Sequence, residues 1–220
     1  MDKVIALKAA VDQIGDGAVI MFGGFMCNGS APKIIDALVE KNVKDITIIC
    51  NDSGLIDKGV GKLIVNKQCK KIITSHIGLN KETGRQMTAG ELEVDLVPQG
   101  TLVERIRAAG YGLGGILTRT GIGTLVEEGK EKVEVDGVSY LLEKPLRADF
   151  AVLYGSTVDK NGNIAYYGSG INFNHVMASA ADVTIVEAGE LVEIGELAPN
   201  AVVTPGVFVN YIVDGGETHG

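Results

Sequence analysis

Six short apolar runs recur along the chain, and none of them alternates between apolar and polar: Val19-Ile20-Met21-Phe22, Ile46-Thr47-Ile48-Ile49-Cys50, Lys71-Ile72-Ile73-Thr74, Val94-Asp95-Leu96-Val97, Phe150-Ala151-Val152-Leu153-Tyr154 and Val183-Thr184-Ile185-Val186. A strand with one wet face shows a period of two. Runs of β-branched residues without that period are strands covered on both faces, as in a parallel sheet under helices. The intervening segments agree, with Ile34, Ile35 and Leu38 on one helical face and Leu102, Ile106 and Ala109 on another. Strands alternating with helices predict an α/β fold, an open, mostly parallel sheet covered by helices and joined by right-handed crossovers. One place breaks the rhythm. Asp136-Gly137, between Lys132–Val135 and Val138–Leu142, is a two-residue hairpin signature and predicts a small antiparallel hairpin insertion near 131–143. No internal repeat, low-complexity tract or linker is visible, so the 220 residues are read as one domain over 1–220.

Several function classes are disfavoured. A formal net charge of -8, with no basic cluster longer than Lys70-Lys71, predicts no nucleic-acid surface, because neutralising phosphates needs concentrated positive charge. The stretch Ala18 to Phe22 is far too short for a membrane span or a signal segment, and the expectation is no membrane and a cytoplasmic protein. Cys27, Cys50 and Cys69 form no C-x-x-C pair, and His76 and His175 have no ligand spacing, so neither disulfides nor a metal site is expected.

Thirty glycines, clustered rather than periodic, point to tight backbone turns around ligands. The leading cluster is Gly23-Gly24-Phe25-Met26-Cys27-Asn28-Gly29, between the first strand and the 33–39 helix, with Ser30 in N-cap position and Pro32 in the first turn. Such a segment is built to cradle an anion or a carbonyl, with backbone N–H groups unobstructed by Cβ atoms and a helix N-terminus behind them. The alternative is a tight strand-to-helix turn and nothing more. There is no G-K-[ST] ending for a P-loop, and the spacing differs from the dinucleotide fingerprint G-x-G-x-x-G.

Asp16-Gly17-Ala18-Val19-Ile20-Met21-Phe22-Gly23-Gly24-Phe25, followed by Gly29-x-x-Pro32, resembles the N-terminal signature of family I coenzyme A transferases. The likeness continues in order through Asn51-Asp52-Ser53-Gly54, Ser75-His76-Ile77-Gly78, Val97-Pro98-Gln99-Gly100-Thr101-Leu102, Gly112 to Gly115, Thr118 to Thr124, Arg147-Ala148-Asp149, Asn172-Phe173-Asn174 and Thr204-Pro205-Gly206, nearly the whole chain. It is to the alpha half. The family's nucleophile is a glutamate in a Ser-Glu-Asn-Gly motif, absent here, so the resemblance implies no catalytic nucleophile in this chain and a beta subunit that carries it, in an α2β2 assembly.

The implied reaction moves CoA between short-chain acyl-CoA and acids such as acetoacetate, butyrate or acetate. It runs ping-pong through a transient glutamyl-CoA thioester, with coenzyme A as substrate and no resident cofactor. Gly23, Gly24, Phe25, Met26, Cys27, Asn28 and Gly29 would contact CoA or substrate. Gln99, at the carboxyl end of a strand, matches the family glutamine near the reacting acyl group and would support the oxyanion. Without the resemblance, Gln99 is read as a loop amide satisfying its neighbours.

Two departures from the common pattern are Ile171, where many relatives carry a basic residue, and His175, where proline is frequent. Arg119 is more similar to the butyrate–acetoacetate transferases. Two other readings compete: a sugar-phosphate isomerase or deaminase on a related fold, which would need an acid/base set near a phosphate loop, and a binding or scaffold subunit without chemistry.

Overall fold

A computed structural model describes residues 2–216. A short helix, α1 (Leu7–Asp12), precedes β1 (Val19–Phe22). Then α2 (Pro32–Lys41), β2 (Ile46–Asp52), α3 (Gly61–Val65), β3 (Cys69–His76), α4 (Lys81–Thr88) and β4 (Glu93–Leu96) follow in strict alternation. Helix α5 (Gln99–Gly110) leads to β5 (Ile116–Thr118), β6 (Lys132–Val135) and β7 (Val138–Glu143), and the chain finishes with β8 (Ala148–Asp159), β9 (Ile164–Ala165), α6 (Asn174–Met177), β10 (Ala181–Val192) and β11 (Tyr211–Asp214).

The main sheet has the order β11-β10-β8-β1-β2-β3-β4, all parallel, with β9 pairing antiparallel on β8. Successive side chains of the buried strands feed opposite cores. Ile20, Phe22, Ile48 and Val152 pack with Ile34, Ile35 and Leu38 of α2. Met21, Ile49, Ala151 and Leu153 pack with Leu102 and Ile106 of α5 and Val176 and Met177 of α6. Fully burying one such side chain contributes about 1.5–3 kcal/mol. Both faces are therefore dry, which is why the apolar runs carry no alternation.

From β1 the chain works outward to β4 on one side, and from β8 outward to β11 on the other. The connections leaving β1 and β8 diverge, and the crevice at the carboxyl ends of such a pair is where open α/β sheets bind ligands.

Three details differ from the sequence reading. Strand β4 is a sheet edge, with Leu96 49% exposed, because among the described residues no further strand pairs with its outer side. The antiparallel insertion is three-stranded, in order β5-β7-β6, and reaches back to Ile116. Its hairpin turn is as expected, with Asp136 (φ 51°) and Gly137 (φ 74°) both left-handed. Strand β11 carries too few apolar residues to be read alone and forms by pairing on β10.

Candidate functional site

At the carboxyl end of β1, the Gly23 amide donates to the Val152 carbonyl of β8 at 3.2 Å, and the chain then folds back on itself. The Phe25 and Asn28 amides donate to each other's carbonyls, both at 3.0 Å. Between them Met26 (φ 50°) and Cys27 (φ 66°) are consecutively left-handed, a turn geometry that favours Asn-Gly. For residues with side chains it costs roughly 1–2 kcal/mol each. The Phe25 and Met26 side chains stand exposed at the tip.

The outer glycines serve close packing. A Cβ on Gly23 would overlap the Asn174 carboxamide, and one on Gly29 would overlap the Gly170 carbonyl. Asn174 is fully buried. Its Oδ1 accepts the Tyr154 amide at 3.2 Å, and its Nδ2 donates to the Gly29 and Gly170 carbonyls at 3.0 and 2.9 Å. Asn28 Nδ2 donates to Ser169 Oγ at 2.6 Å, a second tie between the turn and the 169–174 segment.

The helix behind the turn is capped in a way the sequence reading missed. Ser30 does not cap it: its Oγ donates to the Cys27 carbonyl at 2.9 Å, and Ala31 occupies the N-cap position. The cap comes from β10, where the buried Glu187 accepts the Ile34 amide on Oε2 at 3.0 Å. Burial raises the Glu187 pKa, opposed by the Ile34 and Lys33 amides. A protein carboxylate thus sits at the α2 N-terminus, in the place where an anionic ligand would profit from it. The Gly24 and Cys27 amides donate to no acceptor among the described residues, so the turn retains hydrogen-bond donors suited to a carbonyl oxygen. Burial also raises the Cys27 thiol pKa, which keeps the thiol protonated and suits a packing residue.

Gln99 opens α5, just beyond the carboxyl end of β4. Its Nε2 donates to Asn51 Oδ1 at 3.0 Å. Asn51, fully buried at the end of β2, also accepts Ser75 Oγ at 2.7 Å and donates to Asn172 Oδ1 at 3.4 Å. Asn172 (φ 26°) lies two residues from Asn174, the support of the glycine turn. The predicted residues Gly23 to Gly29 and Gln99 therefore lie along one sheet edge and are joined through Asn51 and the 172–174 segment. Asn51, Asp52, Ser75, Asn172 and Asn174 received no role from the sequence.

A second turn stands beside the first. Gly54-Leu55-Ile56-Asp57-Lys58-Gly59 repeats the pattern of Gly24-Phe25-Met26-Cys27-Asn28-Gly29, and its Leu55 and Lys58 amides donate to each other's carbonyls at 3.2 and 3.4 Å. This is a short internal repeat that the sequence reading did not register, because six residues with three apolar types are too few to stand out. Between the turns lies a crevice of about 10 Å³ lined by Gly23, Gly24, Cys27, Asp52, Gly54 and Gly59. That is room for about one water.

The remaining candidates stay apart. His76 is exposed, and His175, on α6, has its pKa lowered by burial and by Arg107. Arg119 is exposed near the small antiparallel sheet. A larger cleft, of about 830 Å³, opens between β4 and that sheet, but its buried carboxylate, Glu143, is already paired with Lys130 and faces Arg105 at 3.9 Å. No described helix is long and apolar enough to cross a membrane.

Comparisons with known proteins bear on the chain as a whole. A family model described as coenzyme A transferase matches residues 4–215. The sequence is 50% identical over 216 residues to the acetate CoA-transferase subunit alpha of Escherichia coli (strain K12), covering 98% of this chain and 98% of that protein. It is 52% identical over 211 residues to the acetoacetyl-CoA:acetate/butyrate CoA transferase alpha subunit of Clostridium acetobutylicum, covering 96% and 97%. Among solved structures, an acyl-CoA transferase from E. coli O157:H7, determined as a thioester complex with CoA, superposes with a TM-score of 0.87 at 24% identity. The match covers 100% of this chain and 49% of that one, so this chain spans about half its length. Glutaconate coenzyme A-transferase from Acidaminococcus fermentans superposes with a TM-score of 0.84 at 19% identity over 96% of this chain and 75% of that one. At such identities the two structures speak for the fold.

Proposed function

This chain belongs to the coenzyme A transferase family, and from that premise we propose that it is the alpha subunit of a two-subunit enzyme moving CoA between short-chain acyl-CoA and acids such as acetoacetate, butyrate or acetate. The observation that carries the reading is the identity of 50% and 52%, over nearly full length, to alpha subunits named for acetate and for acetoacetyl-CoA with acetate or butyrate. The sequence holds no Ser-Glu-Asn-Gly, so the nucleophilic glutamate belongs to a beta subunit, and an α2β2 assembly is the proposed form.

The glutamate carboxylate attacks the acyl-CoA carbonyl, and CoA leaves as thiolate, giving a mixed anhydride. The thiolate then attacks the glutamyl carbonyl and releases the donor acid, giving glutamyl-CoA. The acceptor acid retraces both steps. Each attack places negative charge on a carbonyl oxygen, and this chain's part is to meet that charge with preorganised donors. Gln99 fits the task because its amide carries two N–H bonds and only one is spent on Asn51. The Gly24 and Cys27 amides are the further donors, and Phe25, Met26 and Asn28 line the tip of the same turn.

The test is reconstitution. Co-expressed with a beta subunit and given acyl-CoA, the complex should acquire a CoA-sized mass adduct on the partner, none on this chain, and full exchange only when both are present. Gln99→Ala should lower kcat by an order of magnitude or more, the scale of losing one oxyanion donor. Full activity from this chain alone sinks the division of labour, and unchanged kinetics in the Gln99 variant removes that residue from the site.

A further inference from the structure

We infer that Asp52 is a positioning residue of this site: its carboxylate holds the Phe25–Asn28 turn in the left-handed conformation that sets the Gly24 and Cys27 amides. The inference rests on the proposed reading of that turn as a substrate cradle, and it adds a residue that no sequence motif marks as functional. Asp52 ends β2, the strand next to β1, and is 4% exposed. Its Oδ2 accepts the Met26 amide at 2.7 Å, and its Oδ1 accepts the Gly54 amide at 2.6 Å. A buried carboxylate is tolerated only when hydrogen-bonded, and each oxygen of this one accepts a backbone amide.

One carboxylate thereby ties the two glycine turns together, and the two ends are not equivalent. Gly54 lies two residues after Asp52 and is a left-handed glycine (φ 66°), so that end is a local turn with little strain to hold. Met26 lies on the neighbouring connection, at the first of two successive left-handed residues with side chains. Its amide is where a side chain of the neighbouring strand grips the centre of that turn. Release of this bond lets Met26 and Cys27 relax toward negative φ, and the donors on either side move with them.

The experiment is a two-by-two set in the reconstituted complex: native, Asp52→Asn, Cys27→Gly and the double variant. Asparagine keeps the shape of aspartate but turns an NH2 group toward one of the two amides, so one bond is lost. Glycine at position 27 adopts the left-handed conformation without help. Asp52→Asn should lower kcat about tenfold with KM for acyl-CoA changed less than about twofold, the signature of an interaction that matters in the transition state. In the Cys27→Gly background the same substitution should cost less than about threefold, because the turn no longer needs to be held.

An equal loss in both backgrounds, or a rise in KM with kcat kept, overturns the inference while leaving the cradle reading in place. If Asp52→Asn and Cys27→Gly both keep native turnover while the melting temperature falls, the turn is not at the reacting centre, and the cradle reading fails with it. Asp52→Ser, read the same way, replaces Asp52→Asn if the latter does not assemble.

Discussion

The turn after β1, Gly24–Gly29, and the turn after β2, Gly54–Gly59, close with the same reciprocal pair of amide bonds between their second and fifth residues, yet they are held differently. In the second turn only the glycines at its ends are left-handed (Gly54, φ 66°; Gly59, φ 60°), and Asp52, two residues before Gly54, accepts the Gly54 amide. Gly61 backs against the Leu55 carbonyl, and Asn80 Nδ2 donates to the Ser53 carbonyl at 3.2 Å. The first turn places left-handed residues with side chains at its centre and is gripped from afar, by Asn174 at a sequence separation of 145 and by Asp52 of the next strand. One pattern thus yields a turn that keeps its own shape and a turn whose shape is imposed. The imposed one carries the unoccupied amides proposed to face substrate, as expected where strain is kept at a functional position.

The largest difference between the two turns is expected at their asparagines, Asn174 and Asn80. Asn174→Ala strands the Gly29 and Gly170 carbonyls and the Tyr154 amide, three backbone groups that lose their side-chain partner. At roughly 1–3 kcal/mol per unsatisfied buried group, the variant should lose about 3 kcal/mol or more of stability, read as a shift in urea midpoint at unchanged m. Asn80→Ala removes one bond to the Ser53 carbonyl and the N-cap of α4, where Oδ1 accepts the Glu82 amide at 3.1 Å. Its expected cost is about 1–2 kcal/mol. Equal losses would mean that both turns depend alike on their asparagine.

A smaller effect concerns the helices behind the turns. Helix α3 has no side-chain cap, whereas α2 has the buried Glu187. Burial raises the Glu187 pKa above its ordinary 4.5, so the folded state holds this proton more tightly than the unfolded chain. Its contribution is therefore complete below the ordinary value and is lost as pH rises through the raised one. Thermal unfolding of native protein and Glu187→Gln across the range from 4.5 toward neutrality should show the native curve falling relative to the variant. Parallel curves would mean that Glu187 does not titrate differently on folding.

Much of the fold was legible because burial on both faces of the inner strands leaves its mark in each of them separately. The six apolar runs all became strands of the main sheet, the two helical faces became the buried faces of α2 and α5, and Asp136-Gly137 made its hairpin turn. Local information failed where an element exists only through a neighbour. Strand β11 forms on β10, β5 joins the hairpin from outside it, and Ser30, the obvious cap by position, is replaced by a carboxylate 153 residues from Ile34. The candidate site divides the same way. The glycine run and Gln99 are marked by their place at strand ends, whereas Asn51, Asn174 and Asp52 are ordinary polar residues until the sheet sets them beside those segments.

That β1 ends in a glycine-rich turn entering a helix is written in the residues alone, since strand propensity, glycine placement and Pro32 are local facts. It also carried the family likeness, because matching segments need no coordinates to be compared. What the turn became depends on contacts made across the fold. Gly23 and Gly29 make room for Asn174 and Gly170, Glu187 takes the helix N-terminus, and Asp52 grips Met26. Hydrogen bonds between groups far apart in sequence form only after the core has brought the strands into register, so no local pattern encodes them.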